Sequence, residues 1–146
     1  MTEDIKQKVL DYLASHRYMR LATVTTDSTP MVHTVAYASE GPTVYFLTDR
    51  RTRKIFNISR NPEVAFSVDE DYPDAGLIQG IQMEARATIL STRADVEKAR
   101  DLLVAKFPNM AKMPPELDLV FVRVDSDEGY FLDYTKGFTH RDKIDF

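Results

Sequence analysis

The stretch that decides the fold runs from Val44 to Pro62, VYFLTDRRTRKIFNISRNP. Its first four residues are β-branched, aromatic or aliphatic, which predicts a strand. Thr48 and Asp49 then offer helix-capping side chains, and apolar residues follow them at helical spacing. Pro62 disfavours helical geometry in the residue before it, so the stretch predicts a strand, a cap, a short helix and a stop.

Positive charge is concentrated at the start of this predicted helix. Four cations are expected in its first turns: Arg50, Arg51, Arg53 and Lys54. A helix start normally favours acids, because its free N–H groups and its dipole are positive there. Those N–H groups, the hydroxyls of Thr48 and Thr52 and the four cations would together suit a phosphate group. The alternative is a solvated, cationic helix face, and the residues alone leave both interpretations open.

Composition sets the class of protein. With 146 residues, 43% hydrophobic and 29% charged, the chain is expected to form a single domain over residues 1–146. A net charge of −4 argues against nucleic acid or an anionic membrane as a partner. The absence of cysteine excludes disulfides, thiolate catalysis and cysteine–metal sites, and the acidic run at residues 69–74 lacks a calcium-loop pattern, so no metal site is predicted. No signal-like or membrane-spanning apolar run is present, so a cytoplasmic protein is expected.

Hydrophobic patterning predicts a mainly β protein of the α+β class. Helices are expected at residues 2–15, after residue 49 and from residue 92 to residue 107. Strands are expected at residues 18–26, 31–39, 44–47, 63–69, 77–91, 119–124 and 130–134. The first three strands have short turns between them and predict an antiparallel meander, and residues 125–129 predict a turn. Gly80, inside a predicted strand, indicates a bulge or a close backbone approach.

The segment TDRRTRKIFNISRNP resembles the phosphate-binding segment of the pyridoxamine 5′-phosphate oxidase-like flavoproteins. That family has a Thr at a strand end, then Ser-Arg-Lys, then Asn-Pro; here Thr48, Thr52-Arg53-Lys54 and Asn61-Pro62 fall at the same spacings, with Thr for Ser. The resemblance implies an antiparallel split β-barrel with flanking helices, and a homodimer that holds FMN at its interface. It also implies that Thr48, Thr52, Arg53 and Lys54 bind the cofactor through its phosphate.

Two further segments resemble the same family. LATVTTDSTPMVHTVAY is similar to its first hairpin, which implies that His33, Thr34 and Val35 line the cofactor, although the vitamin oxidases have Arg where His33 stands. The family's fifth strand runs beside the flavin ring, and Gln79 and Gln82 are the candidates to meet the ring there; Gln82, which stands where the vitamin oxidases have Arg, is the residue assigned to the cofactor. The chain has no Trp and lacks their substrate-binding C-terminal segment, so oxidation of the vitamin itself is not predicted.

The function expected is therefore that of an FMN-dependent oxidoreductase. No serine-protease order, P-loop, dinucleotide fingerprint or zinc pattern is present, which suits a protein whose cofactor carries the chemistry, and no catalytic residue is assigned. A small-molecule substrate is expected, with a nicotinamide nucleotide as a possible electron donor. Three alternatives stay open: a deazaflavin in the same barrel, a heme with His33 or His140 as its axial ligand, and a non-enzymatic flavin-binding stress-response protein.

Overall fold

A computed structural model describes all 146 residues of the chain, as three α-helices and eight β-strands. The helices are α1 (Glu3–Ser15), α2 (Arg53–Arg60) and α3 (Arg93–Lys106). The strands are β1 (Tyr18–Val24), β2 (Pro30–Ala36), β3 (Ala38–Glu40), β4 (Thr43–Asp49), β5 (Glu63–Val68), β6 (Gln79–Ile89), β7 (Leu119–Asp133) and β8 (Arg141–Asp145). The expected mainly β, α+β composition is confirmed.

All eight strands belong to one antiparallel sheet. Its order is β2-β1-β5-β6-β7-β4-β3, and β8 pairs with β7 beside this path. Although β2 and β4 are far apart in this order, residue pairs of the two strands lie within 8 Å. The sheet therefore curls into a half-barrel, which confirms the antiparallel split-barrel class.

The interior of the half-barrel holds the larger hydrophobic core. Alternate residues of the strands point into it, and Leu21, Phe46 and Ile81 are fully buried there. Helix α1 adds Val9 and Leu13. Helix α2 adds Ile55 and Ile58, and helix α3 packs on the opposite face of β4 with a second, smaller cluster around Ala99 and Leu103.

The predicted three-stranded meander is wrong. Strands β1 and β2 form the expected hairpin, but β3 and β4 form a separate hairpin, and β4 pairs with β7. The chain leaves β2 at Tyr37, whose backbone N–H donates to the Arg17 carbonyl at 3.1 Å and whose hydroxyl donates to the Leu13 carbonyl at 2.7 Å. These bonds and the complete burial of the Tyr37 ring divide the predicted strand at residues 31–39 into two.

The predicted turn at residues 125–129 is also wrong, because β7 continues through it along β6. The register shifts between Met83 and Ala85, and a Cβ placed on Gly129 would lie 2.0 Å from the Gln82 carbonyl oxygen. A glycine is therefore required where the two backbones meet at this bulge. The close approach expected at Gly80 is confirmed, since a Cβ there would lie 3.0 Å from the Val68 carbonyl oxygen. No helix is both long and apolar enough to cross a membrane.

Candidate functional site

Helix α2 begins later than its sequence predicts. Its first residue is Arg53, and Thr52 occupies the N-cap position without a side-chain capping bond. The Thr52 hydroxyl instead donates to the carbonyl of Asp49 at 2.9 Å, and the Asp49 carboxylate accepts from the backbone N–H of Arg51 at 2.8 Å. Arg50 and Arg51 therefore lie in the turn before α2, which corrects their expected place in its first turns.

The four cations divide into two pairs. Arg50 forms an ion pair with Asp118 at 3.1 Å and Arg51 forms one with Asp49 at 2.7 Å. Arg53 and Lys54 form no ion pair, and the first N–H groups of α2 have no hydrogen-bond partner. Two unpaired cations and a free helix N-terminus thus coincide, which is an arrangement that attracts an anion.

His33 lies beside these cations on β2. It pairs with Leu21 of β1 and faces the interior of the half-barrel, and its Nε2 lies 2.8 Å from the Thr23 hydroxyl oxygen. Burial and then the neighbouring Lys54 charge lower the pKa of His33, and burial lowers the pKa of Lys54. The two side chains therefore share a partly desolvated region, in which a bound anion would offset the positive charge of Lys54.

Two buried polar residues complete this cluster, and sequence reasoning missed both. The Asn57 side chain donates through Nδ2 to the Thr23 hydroxyl at 2.9 Å, and its Oδ1 is buried without a partner. Thr23 is 0% and Asn57 1% exposed. Strand alternation from Leu21 could have indicated that Thr23 points inward, and the burial of Asn57 between Ile55 and Ile58 could have been inferred from the apolar face of α2.

The other expected cofactor contacts lie on two faces of the sheet. Thr48 continues the interior row of Val44 and Phe46 on β4, and Val35 is 7% exposed in the interior. Thr34 and Gln82 lie on the outer face, in one row that crosses five strands: Thr34, Arg20, Ser67, Gln82 and Tyr130. Within one chain, the sheet separates Gln82 from the His33–Lys54 cluster.

The outer face carries an apolar groove. It is lined on neighbouring strands by Ala22, Val32, Ala65, Met83, Gly129 and Tyr130, among other residues. Val32, on the edge strand β2, is 71% exposed and leaves an apolar side chain uncovered beside the groove.

The C-terminal residues lie close to the outer row. The Arg141 guanidinium stands 4.6 Å from the centre of the Tyr130 ring, and Phe138 is 79% exposed against Tyr134. His140 lies 3.3 Å from the Asp142 carboxylate. No group of three or more His, Asp or Glu side chains is arranged to hold a metal ion.

Comparison with known proteins identifies the family. The family described as Pyridoxamine 5′-phosphate oxidase matches residues 5–133. The chain belongs to this family. The matched region includes His33 and the whole of β4 and α2, whereas Phe138 and His140 lie beyond it.

Relatives and fold neighbours of this member of the pyridoxamine 5′-phosphate oxidase family have different names, and two solved neighbours are described as binding different ligands. General stress protein 26 of Bacillus subtilis is 40% identical over 62 residues, which are 42% of this chain and 44% of that protein. A heme binding protein of Mycobacterium smegmatis superposes with a TM-score of 0.83 at 13% identity, over 99% of this chain and 59% of the other. A FAD-binding protein of Mesorhizobium loti superposes with a TM-score of 0.67 at 23% identity, over 87% and 91%. These two superpositions show a shared fold.

Proposed function

We propose that this member of the pyridoxamine 5′-phosphate oxidase family is an FMN-binding oxidoreductase. The observation that carries the proposal is the pair of unpaired cations, Arg53 and Lys54, at the free N-terminus of α2 beside His33. Carboxylates neutralise the two preceding arginines, so among the four clustered cations only Arg53 and Lys54 lack an ion-pair partner. A phosphate fits this donor set, because it accepts from backbone N–H groups and from cations at once.

The remaining roles follow from the position of each residue. Arg53 and Lys54 bind the phosphate, with Thr48 and Thr52 at the end of β4 and at the N-cap of α2. His33 and Val35 of β2 line the cofactor on the interior face, and Thr34, which lies on the outer face with Gln82, lines the cofactor bound by a second copy. A bound FMN would supply the electron transfer, while the chain binds it, orients it and excludes water from it.

We further propose that the protein acts as a homodimer. Gln82 and the His33–Lys54 cluster lie on opposite faces of the sheet, so a flavin held at one cluster would meet Gln82 of the partner subunit. We assign the apolar groove on the outer face to the contact with the second copy. A second copy would bury Val32 and the neighbouring apolar side chains, which are otherwise in contact with solvent.

The absorption spectrum of the purified protein, followed by titration with FMN, heme and a deazaflavin in turn, tests the ligand. We expect FMN to bind and to show a perturbed flavin spectrum. Uptake of heme or of the deazaflavin in preference to FMN would contradict the proposal, and so would failure to take up any of the three. Nε2 of His33 lies 2.8 Å from the Thr23 hydroxyl and Nε2 of His140 lies 3.3 Å from the Asp142 carboxylate, so an axial bond from either Nε2 to heme would have to displace that contact.

Turnover separates an enzyme from a binding protein. The FMN-loaded protein is mixed anaerobically with NADH or NADPH, and the flavin absorbance is followed. Bleaching that is faster than that of free FMN supports an oxidoreductase that takes electrons from a nicotinamide nucleotide. The non-enzymatic stress-response role would be favoured by a bound flavin that NADH and NADPH do not reduce and that, once reduced chemically with dithionite, no substrate reoxidises.

A further inference from the structure

Three side chains form a continuous hydrogen-bonded chain from helix α2 to the candidate phosphate site. Asn57 Nδ2 donates to Thr23 Oγ1 at 2.9 Å, and Thr23 Oγ1 lies 2.8 Å from Nε2 of His33. The chain links three elements, since Asn57 belongs to α2, Thr23 to β1 and His33 to β2. Asn57 lies one turn after Lys54 on α2, so it shares a helix face with one of the two unpaired cations.

Met31 favours one orientation of the Asn57 amide. Its sulfur lies 3.6 Å from Nδ2, and sulfur is a weak acceptor that suits an N–H group better than a carbonyl oxygen. Nδ2 therefore faces both Thr23 and Met31, and Oδ1 takes the opposite side, where it has no partner.

The Thr23 hydroxyl then has a single hydrogen-bond acceptor for its proton. Thr23 is 0% exposed, so its hydroxyl cannot reach bulk water, and its two hydrogen-bond neighbours are the Asn57 amide and His33. The amide presents N–H, which occupies a lone pair of the hydroxyl oxygen. The O–H must then donate to Nε2 of His33, so Nε2 carries no proton and the neutral ring carries its proton on Nδ1.

We propose that Asn57 and Thr23 are positioning residues, which hold His33 as the neutral Nδ1–H tautomer so that it meets the cofactor phosphate as a hydrogen-bond donor. The role toward phosphate rests on the proposed function above. Nδ1 has no partner within the chain, and His33 is only half-buried, so this N–H remains available to a ligand. The lowered pKa of His33 beside the Lys54 ammonium agrees with a neutral ring, and the site keeps its cations on Lys54 and Arg53.

The tautomer is measured on the ligand-free protein by long-range ¹H–¹⁵N correlation of the imidazole rings at about pH 8, above the ordinary histidine pKa of about 6.5. The chain has 3 histidines, and a His33→Gln variant identifies the signals of His33 by their loss. We expect a protonated Nδ1 and an unprotonated Nε2 in the wild type. In Thr23→Val, which keeps the shape and removes the hydroxyl, we expect the population to move toward Nε2–H. Thr23→Ser, which keeps the hydroxyl, should retain the wild-type tautomer.

The role toward phosphate is measured by comparing FMN with riboflavin, which lacks the phosphate. We expect Thr23→Val to reduce the preference for FMN by about tenfold, as one charge-assisted hydrogen bond would, and Thr23→Ser to keep it. Circular dichroism and thermal unfolding verify that each variant is folded. If Thr23→Val does not fold, the tautomer in the wild type and in Thr23→Ser decides the inference, because both should have an unprotonated Nε2.

Three outcomes would overturn the inference: Nε2–H in the wild type, an unchanged tautomer in folded Thr23→Val, or an unchanged preference for FMN in that variant. A wild-type protein that binds FMN no better than riboflavin would refute the phosphate site, and with it the role of His33 toward the ligand. The tautomer spectra would then still decide separately whether Asn57 and Thr23 orient the ring.

Discussion

Arg51 donates two hydrogen bonds to the carboxylate of Asp49, from Nε at 2.8 Å and from Nη2 at 2.7 Å. This bidentate pair holds the positive charge of Arg51 in the turn before α2, and Arg50 is held in the same turn by Asp118. The cationic stretch is therefore not a uniform patch. It consists of a neutralised half that shapes the turn and an unpaired half that begins the helix.

Removal of the two unpaired cations, Arg53 and Lys54, should weaken FMN binding. In the Arg53→Ala, Lys54→Ala double variant we expect a loss of about 3 kcal/mol or more, because each charge-assisted contact contributes about 1.5–3 kcal/mol. This corresponds to roughly a 100-fold rise in Kd, measured by titration calorimetry. Riboflavin affinity should change much less, since riboflavin has no phosphate.

The matched control removes the same charge from the neutralised half. Arg50→Ala, Arg51→Ala lies only two residues away, and we expect it to change FMN affinity much less than the first double variant does. Equal losses in the two double variants would mean that net charge attracts FMN and that Arg53 and Lys54 have no specific role.

The Asp49–Arg51 pair should make stability depend on pH in the acid range. The hydrogen bonds from the Arg51 side chain and backbone hold the pKa of Asp49 well below its usual range. The unfolded chain has the ordinary value of about 3.9, so this contribution is present above pH 4 and is lost as pH falls toward the lower folded pKa. We expect the stability difference between wild type and Asp49→Asn, measured by urea unfolding, to shrink between about pH 4 and pH 2.5.

Asp27→Asn serves as the control, since Asp27 is an exposed turn residue that forms no ion pair. Its stability difference from wild type should stay constant over the same pH range. If the Asp49→Asn difference is just as constant, the pair does not hold Asp49 ionised in the folded state.

Local patterns predicted much of the fold but not the choice of strand partners. The end of α2 at Arg60, before Asn61-Pro62, and the capping of α3 by Thr92 follow from neighbouring residues and are confirmed. The pairing of β4 with β7 joins segments far apart in the chain, and no local pattern distinguishes it from a meander. The late start of α2 likewise depends on Asp49 binding Arg51 and the distant Asp118 backbone N–H.

The same limit applies to the candidate site. Arg53, Lys54 and His33 are chemically conspicuous in the sequence, and the structure brings Lys54 close to His33. Thr23 and Asn57 have a role only because α2 packs on β1, a contact between elements that the sequence does not reveal. Gln82 was assigned to the ring on resemblance alone, and its place on the outer face follows from strand register.

Gly129 should not tolerate a side chain. A Cβ at this position would lie 2.0 Å from the Gln82 carbonyl oxygen and 2.9 Å from the Met83 Cα, so the two backbones would have to separate. We expect Gly129→Ala to lower the free energy of unfolding by about 1–3 kcal/mol, the usual cost of overpacking, in urea denaturation. Gly76→Ala is the control, because its Cβ would have only an ordinary contact at 3.5 Å. Equal stabilities of the two variants would show that β7 relaxes without cost.

A charge placed in the groove on the outer face should prevent dimerisation through that face. Val32 is 71% exposed at the side of the groove, and a glutamate there would have to be buried without a partner in any interface that covers it. We therefore expect the wild type to sediment as a dimer and Val32→Glu to sediment as a monomer in analytical ultracentrifugation. Because the proposed cofactor site uses Gln82 of the partner subunit, FMN affinity should fall together with dimerisation.

Leu77→Glu provides the matched control for this prediction. Leu77 is 46% exposed and does not line the groove, so the same substitution there adds the same charge without entering the proposed interface. We expect Leu77→Glu to remain a dimer and to keep its FMN affinity. A wild type that sediments as a monomer, or a Val32→Glu variant that remains a dimer, would refute the assignment of this face to a second copy. A monomer that binds FMN as tightly as the dimer would show that one chain holds the cofactor without Gln82 of the partner subunit.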